Sequence, residues 1–454
     1  MILSSITDAF CSRLSPEAMG SLYRTAPAWL SDHLSLERFR RTVRFAGERS
    51  PFYRKAFAKH GINPRAVRTP ADLKDFYTTP DELVANPEEF LCEAPTIVFE
   101  SSGTSGRNKQ VYFNKRELDA MGHVMAAGLR LMGLSPQDRV ANAFDFSIWI
   151  PGMLAHYGLM GAGNFCLAFG KVDPVEVWRR MKQYRFNVVM GEPTWLIRLT
   201  ELAERDGGGN LKLMIGGAEE MPAEAVAWIK RVWNGCQVKM CYGSVEQGVS
   251  MAFQPCQHHE GYHLDTVDFF PEIIEADENG YGELVFTTLQ RKTMPLIRYR
   301  TRDVTRWLSP CPCGIPAPRI EKLRGRRDEL VVASGGNLYP LMFENILRPI
   351  SGLGLDFQIV FRLQGVREIL EINVETTRAD EHALFDEIKR SATDLYPDLM
   401  KNLALGIFEM RLCVHSPGTI RTGRKLKRMV DRRHGPQIEA DDEAPEGVVH
   451  EQLV

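Results

Sequence analysis

From about residue 96 the chain alternates between two rhythms. Short apolar runs at 96–100, 139–144, 164–169, 187–191, 211–217 and 237–243 predict strands, and amphipathic stretches near 116–132, 151–160, 174–184, 193–205 and 222–234 predict helices between them. Strands that alternate with helices predict stacked βαβ units around a mainly parallel sheet. Upstream, Leu36, Phe39, Val43 and Ala46 fall at helical spacing, so residues 35–50 predict a helix that Gly47 weakens and Pro51 ends.

After residue 250 the runs shorten. Glu272–Ala276 and Glu283–Thr287 flank the turn Asp277-Glu278-Asn279-Gly280, which predicts a β hairpin. Past Gly325 come a short apolar strand, a Gly335-Gly336 turn, strands near 356–363 and 368–375, a helix near 380–396 and a strand near 407–415. The expected fold is α/β: a large N-terminal domain of βαβ-type sheets plus hairpins (1–325) and a small, mobile α+β C-terminal domain (326–434). Residues 435–454, acidic and proline-containing with few large apolar groups, predict a disordered tail.

The 454 residues are too many for one comfortable core, and 44% hydrophobic with 25% charged content is ordinary for a globular protein. A formal net charge of -2 gives no reason to expect nucleic acid as a partner. No apolar run reaches the roughly 18 residues of a membrane span, and Met1–Ser5 lacks a signal-type pattern, so a cytoplasmic protein without a membrane partner is expected. Nine cysteines, an odd number and mostly isolated, fit reduced thiols better than a disulfide framework.

The chemistry starts at Glu100-Ser101-Ser102-Gly103-Thr104-Ser105-Gly106-Arg107-Asn108-Lys109, directly after an apolar run. Gly103 and Gly106 let backbone N–H groups crowd around an anion, Ser101, Ser102, Thr104 and Ser105 add hydroxyl donors, and Lys109 adds positive charge. The spacing S-S-G-T-S-G-x-x-K is not the G-x-x-x-x-G-K-[ST] of ordinary P-loop proteins. Alone, such a run more often reads as a polar surface loop, so the rest of the chain decides.

Further segments follow in a fixed order: Gly216-Gly217-Ala218-Glu219, Tyr242-Gly243-Ser244-Val245-Glu246, Tyr299-Arg300-Thr301-Arg302-Asp303, Gly325-Arg326-Arg327-Asp328, Gly335-Gly336-Asn337-Leu338-Tyr339-Pro340 and Gly423-Arg424-Lys425-Leu426-Lys427-Arg428. With the first loop, this set resembles the adenylate-forming superfamily of acyl-CoA synthetases. Ser50-Pro51-Phe52-Tyr53-Arg54, His156-Tyr157-Gly158 and Pro295–Asp303 narrow the resemblance to the phenylacetate-CoA ligase group.

The resemblance implies ATP-dependent activation of an aromatic or arylacetic carboxylic acid to an acyl-AMP, with transfer to coenzyme A. The same adenylation with an amine, a carrier protein or another nitrogen nucleophile as acceptor is the alternative. It further implies that the first loop with Lys109 holds phosphate, that Gly217, Ala218 and Glu219 border adenine, and that Asp303 binds the ribose diol. Tyr242, Gly243, Ser244 and Arg326 complete the nucleotide site, and Glu246 takes Mg²⁺. Lys425 is identified as the adenylation lysine, with Lys427 as its competitor, Asp328 as the hinge and Gly335 as a wall of the CoA channel. Two positions depart from the family pattern: Val245 stands where a Thr or Ser is usual, and Asn108 where proline is common. A homodimer is left open.

Cys311-Pro312-Cys313-Gly314 is a C-x-C turn, and Cys256 precedes His258, His259 and His263. Two thiolates on a tight turn plus a Cys/His pair suit a closed, structural tetrahedral zinc site. The resemblance points to His263 as the nitrogen ligand, with His258 as the alternative. For the acyl group, Phe146 and Trp149 follow a strand end, where ligands gather in open α/β sheets, and Gly216 and Tyr242 lie at neighbouring strand ends.

Overall fold

The computed structural model describes residues 2–101, 108–218, 221, 223–248, 250–257, 261–323, 331–333, 336–338, 340–420, 428–433 and 448–450. The chain opens with α1 (Ile2–Cys11) and α2 (Pro16–Thr25), neither legible as a predicted element; the Ser15 hydroxyl caps α2 by accepting the Ala18 N–H. The helix predicted over 35–50 begins earlier, as α3 (Ala28–Arg49), and buries Leu34, Phe39, Val43 and Ala46 along one side. Pro51 does end it, by starting α4 (Pro51–Lys59) behind the Ser50 cap. A Thr79–Glu82 capping box opens α5 (Pro80–Ala85).

The first predicted strand of the parallel sheet goes elsewhere. β1 (Ile97–Ser101) pairs antiparallel with β2 (Lys109–Phe113), which sets Ser101 opposite Lys109. A ladder directly after the glycine-rich loop satisfies β1 locally and leaves the loop at its end. Then α6 (Lys115–Leu131) leads into the alternating units: β3 (Arg139–Asn142), α7 (Ile150–Gly161), β4 (Phe165–Ala168), α8 (Pro174–Tyr184), β5 (Val188–Gly191), α9 (Pro193–Arg205), β6 (Leu213–Gly217), α10 (Ala223–Val232) and β7 (Gln237–Gly243). Their parallel order is β4-β3-β5-β6-β7.

Beyond β7 the sheet turns antiparallel through β8 (Ser250–Phe253) and β9 (Gly261–Leu264). The predicted hairpin is present as β10 (Phe269–Ile274) and β11 (Gly282–Thr288), joined by β12 (Tyr299–Thr305) in a separate three-stranded sheet. β13 (Trp307–Leu308) and β14 (Arg319–Glu321) return to extend the large sheet beyond β9, to nine strands among the described residues.

The C-terminal part builds its own core around Phe343, Ile359, Phe361, Ile372, Ile388 and Leu412. It holds β15 (Val331–Ala333), β16 (Gly336–Leu338), α11 (Pro340–Leu347), β17 (Leu353–Gln364), β18 (Arg367–Thr376), α12 (Glu381–Leu395), α13 (Pro397–Ala404), β19 (Glu409–His415), β20 (Met429–Asp431) and β21 (Val448–His450). Its five-stranded sheet runs β20-β17-β18-β19-β21. β21 departs from the disorder expected across 435–454: it closes the open backbone edge of β19, a gain in hydrogen bonding that composition does not register. The two parts touch where Val366, Leu405 and Ile407 pack on the large core and Arg367 reaches Glu201 of α9 at 3.2 Å. Among the described residues no helix is long and apolar enough to cross a membrane.

Candidate active site

Three chain segments meet: the start of β2, the turn after β7 and the buried face of β12. Tyr299, Thr301 and Asp303 take the buried positions of β12, because alternate residues of a strand share a face. Arg300 and Arg302 point the other way and pair with Glu283 and Asp81. Tyr299 is steadied from behind: its neighbour Ile297 donates its N–H to Tyr53 Oη at 2.8 Å, which ties the Ser50–Arg54 segment to β12.

Tyr299 Oη donates to Glu246 Oε1 at 3.0 Å, and the Lys109 ammonium pairs with the same oxygen. Burial alone would raise the Glu246 pKa; the Lys109 charge and hydrogen bond, with help from a backbone N–H and Tyr299, overcome it and hold the group at about 2. The turn itself is clamped by Arg291, whose guanidinium donates to the Glu246 carbonyl at 2.7 Å and to the Gln247 carbonyl at 2.5 Å. Arg291 also lies over the Phe113 ring at 4.5 Å. Gly248 makes this possible: it sits at φ +79, and a Cβ there would stand 2.5 Å from the Arg291 guanidinium.

Nearby, Tyr242 Oη donates to Asp303 Oδ2 at 2.6 Å. Gly243, the last residue of β7, pairs with Ser250. At the end of β6 a Cβ on Gly216 would lie 2.7 Å from Met240 Sδ, and one on Gly217 would touch Phe144 at 3.5 Å. Ala218 follows in a left-handed conformation at φ 76, unusual for a residue with a Cβ. Val245 is buried in the large core, so the position where the family has a hydroxyl is apolar packing here. Ser244 is exposed and its Oγ accepts the Gln247 N–H at 3.4 Å, which commits it to the turn.

Ser101 is buried at the end of β1, and its Oγ has no hydrogen-bond partner among the described residues. Asn108, at the position of the usual proline, donates to Glu100 Oε2 at 2.9 Å across the ladder and so fastens the base of the loop by another means. The loop that carries Phe146 and Trp149 is stitched to the same place, since the Glu100 N–H donates to the Ile148 carbonyl at 2.9 Å. Phe146, half-buried, meets His156 edge-on with ring centroids 6.1 Å apart, and Trp149 packs on the large core at the start of α7.

A second cluster lies at the β8–β9–β14 edge. The ligand atoms of Cys256, His263, Cys311 and Cys313 all fall within 4.8 Å of one another. Cys256 Sγ is 3.7 Å from Cys311 Sγ and 3.9 Å from His263 Nε2, and Cys313 Sγ is 3.7 Å from His263 Nε2. A tetrahedral zinc with bonds near 2.3 Å to sulfur and 2.0–2.1 Å to nitrogen gives edges of about 3.6–3.8 Å. The four side chains therefore fit the ion.

Residues 59–268 match the model of the AMP-binding enzyme family, and 335–433 match that of the AMP-binding enzyme C-terminal domain. A phenylacetate-coenzyme A ligase of Aromatoleum evansii is 29% identical over 419 residues, covering 88% of this chain and 94% of that protein. The chain belongs to the adenylate-forming AMP-binding enzymes. It falls with the phenylacetate-CoA ligase-like members. Among solved structures it resembles 2-hydroxyisobutyryl-CoA ligase in complex with 2-HIB-AMP and CoA in the thioesterification state, with a TM-score of 0.76 at 22% identity over 91% of this chain and 92% of that one. Against the same ligase in its postadenylation state, also at 22% identity, the TM-score is 0.63, over 90% and 91%.

For an AMP-binding enzyme, the structure gathers Lys109, Glu246, Tyr242 and Asp303 through Tyr299 and paired strands. Ser102, Gly103, Thr104, Ser105, Gly106, Glu219, His258, Arg326, Asp328, Gly335, Lys425 and Lys427 lie outside the described residues. Sequence reasoning missed Tyr299 and Arg291 as members of the site. Tyr299 was findable, because it stands four residues before Asp303 on the same strand face. Arg291 carried no signal, as nothing in Gln290-Arg291-Lys292 distinguishes it from surface charge.

Proposed function

We propose that this enzyme activates an aromatic or arylacetic carboxylic acid with ATP, releasing pyrophosphate, and then passes the acyl group to coenzyme A. In the first step a carboxylate oxygen attacks the α-phosphorus and pyrophosphate leaves; in the second, the CoA sulfur attacks the acyl carbon and AMP leaves. The observation that carries this reading is the meeting of Lys109, Glu246 and Tyr299, with the Tyr242–Asp303 pair on the same buried face of β12.

The roles follow from chemistry. Glu246 would hold Mg²⁺, an oxygen ligand kept ionised down to very low pH, and the metal would supply charge neutralisation on the phosphates. Lys109 and Ser101, with Ser102, Gly103, Thr104, Ser105 and Gly106, grip the leaving pyrophosphate. Asp303 takes the ribose hydroxyls, Tyr242 and the Gly217–Glu219 segment face adenine, and Arg326 assists at the nucleotide. Phe146, Trp149 and Gly216 bound the acyl group, where flat side chains suit an aryl ring. Lys425 comes from the C-terminal part during adenylation; Asp328 is the hinge, and Gly335 lines the CoA path. The higher TM-score against a thioester-forming state supports an arrangement poised for the second step.

Zinc at Cys256, His263, Cys311 and Cys313 serves structure, since all four positions are protein ligands. All nine cysteines lie among the described residues and are free of disulfides, which supports a reducing, cytoplasmic setting. Pyrophosphate release over a panel of aryl acids, with and without coenzyme A, tests the function. Release with at least one acid and a thioester product is expected. Release without thioester would transfer the second step to another nucleophile, and no release with any acid would overturn the reading.

A further inference from the structure

Arg298 stands directly before Tyr299 with its backbone in the left-handed region, at φ 47. A residue with a Cβ is costly there, and glycine is the ordinary choice. The sequence keeps a side chain nonetheless, and the residue is only 5% exposed. Left-handed residues other than glycine persist where their surroundings over-determine them, and they gather at functional sites.

Every donor of the Arg298 guanidinium is taken. Nε and Nη2 fork onto the two carboxylate oxygens of Glu272 on β10, at 3.1 and 2.9 Å. Nη1 donates to the Lys74 and Phe76 carbonyls at 2.7 and 3.3 Å, and Nη2 also donates to Tyr77 Oη at 3.0 Å. The guanidinium lies over the Tyr77 ring, 4.1 Å from its centre. The main chain is fixed as firmly: the Arg298 N–H donates to Thr287 Oγ1 of β11 at 2.9 Å, and its carbonyl accepts the Thr78 N–H at 3.1 Å. A lysine could not do the same, since its three donors on one atom cannot reach a carboxylate, two carbonyls and a phenol at once.

These anchors come from three directions, β10, β11 and residues 74–78, and converge on the bend from which β12 starts. The first residue after the bend is Tyr299, whose Oη donates to Glu246 Oε1 at 3.0 Å. The Tyr299 ring is buried, with the Phe286 ring centroid 5.5 Å from its own. A ring packed this closely cannot swing to compensate for a shift of its own Cα, so the direction in which β12 leaves the bend decides where the phenol points. We propose that Arg298 is a positioning residue for adenylation: by holding the left-handed bend it aims Tyr299 Oη at Glu246 and so sets the orientation of that carboxylate. Its weight in catalysis rests on the proposed role of Glu246 toward Mg²⁺, and Arg298 itself acts through Tyr299.

A double-variant cycle with Tyr299→Phe, which removes only the phenolic oxygen, separates this role from a general structural one. Arg298→Lys and Tyr299→Phe are each expected to lower kcat for pyrophosphate release about tenfold, with KM for the carboxylic acid changed less than about twofold. The double variant is expected to be about tenfold slow as well, because the second change removes a bond already lost. Independent effects would multiply to about a hundredfold; that product, or parental turnover in Arg298→Lys, would overturn the proposal. The same cycle read by urea unfolding needs no turnover. Tyr299→Phe should lower the midpoint of the parent and leave that of Arg298→Lys unchanged, whereas equal shifts in both backgrounds would overturn the positioning role. No pyrophosphate from the parent with any acid would overturn the proposed function instead, and the urea cycle would still decide whether Arg298 aims Tyr299. If Arg298→Lys does not fold, Glu272→Gln, which takes the charge from the other side of the fork, replaces it in both cycles with the same expectations.

Discussion

The ammonium of Lys109, at the start of β2, is ion-paired with the carboxylate of Glu246 in the turn after β7, with side-chain exposures of 8% and 4%. Each neutralises the other in a place where an isolated charge would be expensive. On the proposed function, nucleotide binding would offer both a better partner: phosphate for Lys109 and a divalent ion for Glu246. The pair thus holds the two groups proposed to meet the nucleotide in position beforehand.

Breaking that pair from either side leaves a buried charge. Lys109→Met is expected to destabilise the fold by about 3–5 kcal/mol, read from urea midpoints. Glu246→Gln is expected to slow pyrophosphate release roughly a hundredfold, because it removes an oriented electrostatic group. A Glu246→Gln enzyme with parental rates would show that the carboxylate has no part in adenylation.

Acid should find the same pair. The folded Glu246 pKa of about 2 lies below the 4.5 of an ordinary glutamate, so its contribution is full above about pH 4.5 and is lost as pH falls toward 2. The size is about 3 kcal/mol by linkage. Urea unfolding at pH 6, 4 and 3 reads it: the slope of stability against pH in this window should flatten in a Lys109→Met/Glu246→Gln double variant. An unchanged slope would place the acid sensitivity elsewhere.

The 2.6 Å bond from Tyr242 to Asp303 makes a separable prediction. A hydrogen bond to a charged group is worth about 1.5–3 kcal/mol, so Tyr242→Phe should leave Asp303 less well oriented and raise KM for ATP roughly tenfold. Asp303→Asn should raise it at least as much, with KM for the carboxylic acid little changed. Equal effects on both substrates would argue for general loss of structure instead.

The Cys256–His263–Cys311–Cys313 cluster is expected to hold one zinc per chain, counted by atomic absorption. Chelation, or Cys313→Ser, should lower Tm by roughly 5 °C or more, since structural zinc contributes folding free energy directly. A metal content near zero in protein purified without chelator, or an unchanged Tm after chelation, would remove zinc from the fold.

The alternating units from β3 to β7 were legible because each helix carries a 3.6-residue apolar period and each strand a short apolar run. β1 was misplaced in the parallel sheet because its apolar run says nothing about its partner; the partner proved to be the next strand, across the loop. α1 and α2 escaped notice because Met1–Ser5 was weighed only for a targeting signal. Asp303, Glu246 and Lys109 were legible as an ordered set of motifs, whereas Arg291 acts by holding two carbonyls, a function with no local sequence pattern. Val245 was visible as a departure, but only packing shows that its side chain belongs to the core.

Formation of an acyl-AMP can be read directly by oxygen transfer. An arylacetic acid carrying ¹⁸O in both carboxylate positions would be incubated with ATP and coenzyme A, and the recovered AMP analysed by mass spectrometry. Attack of the carboxylate on the α-phosphorus leaves one heavy oxygen on AMP after the CoA sulfur takes the acyl carbon, and that is the expected result. Thioester formed alongside unlabelled AMP, or label recovered in orthophosphate, would contradict it.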